Sequence, residues 1–296
     1  MKDFEYAAAT TVDEAVSLLA ARGDGAKVLT GGTDLIVQLR ENLREADLVV
    51  DVKKIPELME YSLTEKGLRL GAGVPCYRIY GDEAIRKVYP GLVDSARIIG
   101  GWQIQSRASI GGNLCNSSPA ADSVPTLIAY NVTCHIAGPE GRRTVPVAEF
   151  CTAPGRNVLK RGELLTSLEF PAAGKHSSAA YLRFIPRNEM DIAVVGAGAW
   201  VQLDAKGEKI EQARLALAAV APTPIFLADA SASLVGKPAT LDSFKAAGAL
   251  ASAIAKPIDD KRGTVDYRKH LAGVLIERSL TGAVRRARGE AWDPHV

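Results

Sequence analysis

Thr30-Gly31-Gly32-Thr33-Asp34 and Ser109-Ile110-Gly111-Gly112-Asn113 each set paired glycines among hydroxyl and amide side chains. The first stretch follows an apolar run, Ala26-Lys27-Val28-Leu29, and precedes a segment whose Leu35, Ile36, Leu39 and Leu43 share one helical face. Leu48-Val49-Val50-Asp51-Val52 then reads as a second strand, and the succession is a β-α-β unit. Upstream, Thr11 and Glu14 form a capping box ahead of Val12, Ala15, Val16, Leu18 and Leu19, and Gly23 and Gly25 end that helix. The chain begins as a small α/β layer.

Outward from there the texture changes near residue 55. Gly67-Leu68-Arg69-Leu70-Gly71-Ala72-Gly73 predicts a strand, with helices over 82–88 and 91–98. The second glycine stretch reads as a loop that runs through 114–122 into a short apolar helix at 124–129. Strands are expected at 132–137, 143–146 and 164–170, and Pro-Ala-Ala-Gly-Lys-His-Ser-Ser at 171–178 is a linker by composition. Beyond it, 192–203 and 210–220 read as strands joined at Lys206-Gly207, and helices follow over 225–235, 241–255 and 267–288.

Composition narrows the function classes. The 296 residues are 47% hydrophobic and 24% charged, as in an ordinary globular chain, and the net charge of +2 gives no nucleic-acid footprint. No run of 18 apolar residues predicts a membrane span, and Met1-Lys2-Asp3-Phe4-Glu5 has no apolar signal core, so a cytoplasmic protein is expected. Cys76, Cys115, Cys134 and Cys151 are spaced too widely for a zinc or iron–sulfur motif, and His135, His176, His270 and His295 include no pair at helical ligand spacing. No metal site is expected on this chain.

A pyrophosphate needs several N–H donors aimed at one place, and glycine permits both the dihedrals and the close approach. A helix start beyond the first stretch adds positive potential. One such stretch reads equally as a tight strand-to-helix turn; two, both flanked by hydroxyls, point to a large phosphorylated cofactor. Gly196-Ala197-Gly198 is a decoy: Trp200-Val201-Gln202-Leu203 alternates like a strand, so these glycines are read as small residues for sheet packing.

Together with Ser118-Pro119-Ala120-Ala121-Asp122, the two glycine stretches closely resemble the FAD-binding medium subunit of the molybdenum hydroxylases, the group of xanthine, carbon monoxide and nicotinate-type dehydrogenases. The resemblance covers almost the whole chain, through Arg187-Asn188-Glu189-Met190-Asp191 and Val220-Ala221-Pro222-Thr223-Pro224. It implies an α+β fold. A two-part FAD-binding domain of the PCMH type occupies 1–172, divided into 1–55 and 56–172, with a small α/β layer and a mixed sheet. A domain over 179–290 follows, with a three-stranded antiparallel sheet and a helical bundle.

The resemblance also implies roles. Leu29, Thr30, Gly31, Gly32, Thr33, Asp34 and Leu35 would wrap the FAD pyrophosphate, and Ser109, Gly111, Gly112 and Asn113 would clamp it from the other side. Asp122 matches an acid that holds ribityl or adenosine hydroxyls, Leu165 an apolar residue on the flavin ring, and Arg183 a cation near the flavin's polar edge. Ile99 and Gly100 fall on the adenine side. No histidine lies in either stretch, so non-covalent FAD is expected, and no residue is assigned catalytic acid–base work. A large molybdenum-cofactor subunit and a small 2Fe-2S subunit would be partners in a dimer of heterotrimers, with NAD or another external acceptor. The chain would relay electrons while a partner hydroxylates a purine or other N-heterocycle. Cys151-Thr152-Ala153-Pro154-Gly155 and Ala221-Pro222-Thr223-Pro224 lean toward the bacterial xanthine type.

Two departures stand out: Arg183 occupies a lysine position of eukaryotic relatives, and Met190 the place of an acid in a loop that gates NAD in some of them. Blander readings compete throughout. Asp34 favours a helix N-terminus, Asp122 is an N-cap, Arg183 is solvated, Leu165 is core, and Cys115 is an inert buried thiol. His135 and His176 have no visible partner, and Arg285, Arg286 and Arg288 complement a helix dipole. A self-sufficient flavin reductase or oxidase and a non-catalytic nucleotide-binding module are the alternative functions.

Overall fold

Residues 5–51 form a three-stranded parallel layer in the computed structural model, which describes residues 2–294; Met1, His295 and Val296 lie outside the described residues. Strand β1 (Glu5–Ala8), not foreseen, is followed by helix α1 (Val12–Arg22), β2 (Ala26–Leu29), α2 (Leu35–Arg40) and β3 (Leu48–Asp51). The Thr11 hydroxyl caps α1 by accepting from the Glu14 N–H at 3.1 Å, and the Glu14 carboxylate reaches back to accept from the Thr10 N–H at 2.8 Å. Wholly buried β3 is central, paired in parallel with β1 and β2.

The second layer opens with α3 (Pro56–Met59), β4 (Tyr61–Thr64) and β5 (Gly67–Gly71). Six short helices follow: α4 (Cys76–Gly81), α5 (Glu83–Val88), α6 (Pro90–Ala96), α7 (Trp102–Gln105), α8 (Ile110–Asn116) and α9 (Ser123–Ala129). The chain returns as β6 (Thr133–Gly138), β7 (Gly141–Pro146), the small hairpin β8 (Cys151–Ala153) and β9 (Arg156–Asn157), and β10 (Leu164–Pro171). The sheet order is β4-β5-β10-β6-β7 and every pairing is antiparallel, so the expected mixed sheet is corrected. Two of its contacts are hairpins, and β10 enters between β5 and β6 running against both. Leu68, Leu70, Leu168 and Phe170 fill the core below it. Tyr89, Tyr130 and Phe170 meet edge-on with centroids 5.4–5.8 Å apart. His135, expected to lack a partner, holds Glu169 of the adjacent strand at 2.6 Å.

The C-terminal part contains β11 (Ser177–Phe184), β12 (Val195–Leu203), β13 (Ile210–Ala218) and β14 (Ile225–Phe226), then α10 (Ala228–Leu234), α11 (Leu241–Ile254) and α12 (Val265–Ala287). Its antiparallel sheet has four strands where three were expected. Pro222 and Pro224 keep the chain extended, and Ile225 and Phe226, read as a helix start, pair with β13 instead. The glycine decoy lies in β12 as packing residues: a Cβ on Gly198 would come within 2.7 Å of the Pro125 backbone in α9.

Two arginines fasten this part to the first through carboxylates. Arg286 donates to both carboxylate oxygens of Asp94 in α6, at 2.7 and 2.9 Å, and lies over the Trp292 ring at 4.7 Å. That long-range pair, more than dipole compensation, is what Arg286 does. The second is Arg183, described below.

Candidate functional site

The two glycine stretches meet. A Cβ on Gly31 would overlap the carbonyl oxygen of Arg107, just ahead of the second stretch, and one on Gly112 would come within 3.2 Å of the Thr30 hydroxyl, so the turns lie in contact through backbone on one side and a side chain on the other. Gly32, with φ of +74°, adopts a left-handed conformation that favours glycine. Between the turns opens a cavity of about 570 Å³.

The first turn leaves donors without partners. The backbone amides of Gly31, Gly32, Thr33 and Asp34 donate to no acceptor among the described residues, and neither does that of Gly111. All five residues line the cavity. Unpaired N–H groups at an opening of this kind call for an anion or water.

The second stretch is the opening turn of helix α8 and not a loop. The buried Ser109 hydroxyl is its N-cap, accepting from the Gly112 N–H at 3.0 Å. The Asn113 side-chain oxygen accepts from the Ser123 N–H and hydroxyl at 3.2 and 2.7 Å, tying α8 to α9. Gly111 is small for packing as well, since a Cβ there would meet the Ala72 backbone. Both polar side chains therefore shape the cavity wall through their hold on the backbone.

Asp34 and Asp122 differ from simple helix caps, for neither side chain caps its helix. The Asp34 carboxylate accepts from Asn116 Nδ2 at 3.3 Å, and Asn116 in turn accepts from Gln38 at 3.1 Å. Burial pushes the Asp34 carboxyl up, with the Arg44 charge opposing. Asp122 accepts from the Tyr181 hydroxyl at 3.0 Å and from Arg183 Nη1 at 2.7 Å, all three being buried. Desolvation raises its pKa to about 6, against the pull of Arg183. Gly196 makes room for the Tyr181 hydroxyl, which a Cβ there would overlap. Strand β11 of the C-terminal part thus reaches into the first part to hold an acid of the cavity wall.

Of the residues singled out by sequence, Thr30, Gly31, Gly32, Thr33, Asp34, Leu35, Ile99, Gly100, Ser109, Gly111, Gly112, Asn113, Asp122 and Leu165 line this one cavity. Leu29 packs with Leu35 against the small cluster of Leu39, Ala46 and Val49 and is not on the wall. Arg183 is also off the wall, and its side chain is 6% exposed, which corrects the solvated reading. Lys27, Arg44, Asn157 and Ile192 line the cavity and were not foreseen. No motif marks them; they come from strand, turn and loop ends that only the fold assembles. Cys115 is on the wall too, its thiol pushed up to about 12 by burial, a protonated and unreactive state.

Known proteins are similar to this chain along nearly its whole length. A family model described as the FAD binding domain in molybdopterin dehydrogenase matches residues 2–173, and one described as the CO dehydrogenase flavoprotein C-terminal domain matches 180–283. The chain is 32% identical over 293 residues to the putative xanthine dehydrogenase FAD-binding subunit XdhB of Escherichia coli K12, covering 98% of this chain and 99% of that one. It is 31% identical to the carbon monoxide dehydrogenase medium chain of Hydrogenophaga pseudoflava, over 96% and 98% of the two chains. A solved structure of the Hydrogenophaga pseudoflava enzyme superposes with a TM-score of 0.92 at 30% identity, covering 96% and 98%. Quinoline 2-oxidoreductase from Pseudomonas putida 86 superposes with 0.89 at 27% identity, covering 97% and 99%. Backbone donors facing one cavity, the paired glycine turns and these matches along nearly the full length converge: the chain belongs to the FAD-binding medium-chain subunits of the molybdenum hydroxylases.

Proposed function

We propose that the cavity between the glycine turns holds FAD non-covalently, and that the chain passes electrons from a partner's 2Fe-2S clusters to an external acceptor. The unpaired amides of Gly31 to Asp34 and of Gly111 carry this reading, because they offer a pyrophosphate several donors at once. Ile99 and Gly100 take the adenine side, Leu165 packs on the ring system, and Asp122 receives sugar or ribityl hydroxyls. Arg183 and Tyr181 fix that carboxylate and act on the cofactor through it. Leu29 supports the first turn from below. Bound FAD supplies a centre that takes electrons singly and releases them in pairs.

The same reading extends to the assembly. Relatives named as a FAD-binding subunit and a medium chain support a multi-subunit oxidoreductase, and the molybdenum cofactor named for the Hydrogenophaga pseudoflava enzyme supports a molybdenum-bearing partner. In this reading a small iron–sulfur subunit completes the complex, a dimer of heterotrimers in the cytoplasm. A xanthine-type relative and a quinoline-oxidising one favour an N-heterocycle as the complex's substrate. The chain divides into units at 1–172 and 179–290. NAD or another acceptor would approach past Asp191, which pairs with Arg187 at 3.2 Å and Arg262 at 3.7 Å beside the opening.

Purification of the chain with its flavin content read by visible absorbance tests the proposal. One FAD per chain and co-purification with a large and a small subunit are expected. A colourless protein after reconstitution would make it a non-catalytic nucleotide-binding module, and oxidation of a substrate by the isolated chain would make it a self-sufficient enzyme.

A further inference from the structure

We propose that a second cavity, at the seam between the two parts, binds a small planar anion whose ring carries hydrogen-bonding groups, of the heterocyclic carboxylate class. Its volume is about 270 Å³, and it shares no wall residue with the cofactor cavity. Tyr89, Tyr130 and the 171–174 connection form one side; Trp200, Gln202, Gln212 and Arg214 form the other.

Those four residues are a block. Trp200 is the register partner of Arg214, and Gln202 of Gln212, on the antiparallel strands β12 and β13, so their side chains share one face of the sheet. Two and four residues along, the same face carries Gly198 opposite Ala216 and Gly196 opposite Ala218. Helix α9 presses onto this small-residue end, with Gly198 against the Pro125 backbone. At the other end the side chains are large, with Gln212 at the exposed rim. The cavity is the open end of that wedge.

Its chemistry is uneven in a telling way. Among the described residues Arg214 is the only charged one on the wall. Its Nε and Nη2 donate to the Ile128 carbonyl at 3.1 and 3.0 Å, and the guanidinium lies over the Phe226 ring at 4.4 Å. No carboxylate accompanies it among the described residues, and burial lowers its pKa. The buried Arg183, Arg268 and Arg286 each have a carboxylate, from Asp122, Asp260 and Asp94. A partly buried cation without an anion is costly, and Arg214 keeps Nη1 free to repay that cost with a ligand. The Gln202 and Gln212 carboxamides, also without side-chain partners among the described residues, complement donors and acceptors on a ring edge, and Trp200 supplies an aromatic wall.

Isothermal titration of the flavin-loaded full chain with orotate, and with uracil as its uncharged counterpart, tests this. Saturable orotate binding with a Kd below about 1 mM is expected, with uracil at least about tenfold weaker. Arg214→Gln should weaken orotate by at least about tenfold. The double variant Gln202→Leu/Gln212→Leu leaves the Ile128 contact intact and should also lose about tenfold, so it decides the matter should Arg214→Gln not fold. No saturable heat up to about 10 mM orotate, equal affinity for uracil, or undiminished binding by the double variant would overturn the proposal.

Discussion

Replacing Gly31 with alanine places a methyl group where the Arg107 peptide already lies. The added carbon would overlap the carbonyl oxygen and stand 2.6 Å from the carbonyl carbon, both backbone atoms with no rotamer to yield. Relief requires the two turns to part, and forced overpacking of this kind costs about 1–3 kcal/mol. In a chain of this size each kcal/mol moves Tm by about 2–4 °C, so a fall of roughly 2–12 °C is expected. The same movement draws amides away from the pyrophosphate. Losing one charge-assisted hydrogen bond, worth about 1.5–3 kcal/mol, weakens FAD by at least about tenfold. Thermal denaturation and titration of FAD fluorescence quenching read the two effects separately. Gly81→Ala is the matched control, because a Cβ there meets nothing within 4 Å and its Tm should hold. Wild-type FAD affinity in Gly31→Ala would refute the idea that main-chain contact between the turns builds the site.

Other outcomes follow from the same geometry. Ser109→Ala removes the cap of α8 and should cost about 1 kcal/mol in urea denaturation, with the glycine backbone intact. Asp122, raised by burial from the ordinary 3.8 to about 6, favours its protonated form in the folded state. Stability should therefore decline as pH rises between about 4 and 6, by on the order of 2–3 kcal/mol, and level off above; Asp122→Asn should remove that slope. Arg286→Met takes the cation from a carboxylate that is 5% exposed and should destabilise the chain by about 3–5 kcal/mol in the same assay, where a change under about 1 kcal/mol would show the pair to be unimportant.

Local signals carried much of this architecture. The Thr11 and Glu14 cap and the apolar β2 and β3 are set by neighbours in sequence and stand where the pattern puts them, whereas helix α2 ends at Arg40, which leaves Leu43 outside it and 74% exposed and Ile36 exposed on its surface. Strand β1 escaped because Glu5 and Tyr6 are exposed and no apolar alternation marks them; pairing with β3, far along the chain, makes it a strand. Ser109 followed by paired glycines looks like a loop, since glycine is a poor helix former, yet the serine cap and the packing of Gly111 on Ala72 hold the turn helical. At the site, the glycines were legible because backbone geometry restricts what can stand there. Arg44, Lys27 and the Arg183 contact were not, because a charged side chain carries no mark of what it will face after folding. Arg286 and Asp94 are 192 positions apart, beyond the reach of any local pattern.

The hold of Tyr181 and Arg183 on Asp122 means that the seam near residue 175 divides the polypeptide without dividing its energetics. A fragment ending at Pro171 would keep every glycine of the cradle and still present a buried acid stripped of its guanidinium and phenol, a poor neighbour for an anionic guest. Truncation would therefore be felt first as lost affinity in the half that remained. The C-terminal sheet serves as the back wall of a room whose door lies in the other half.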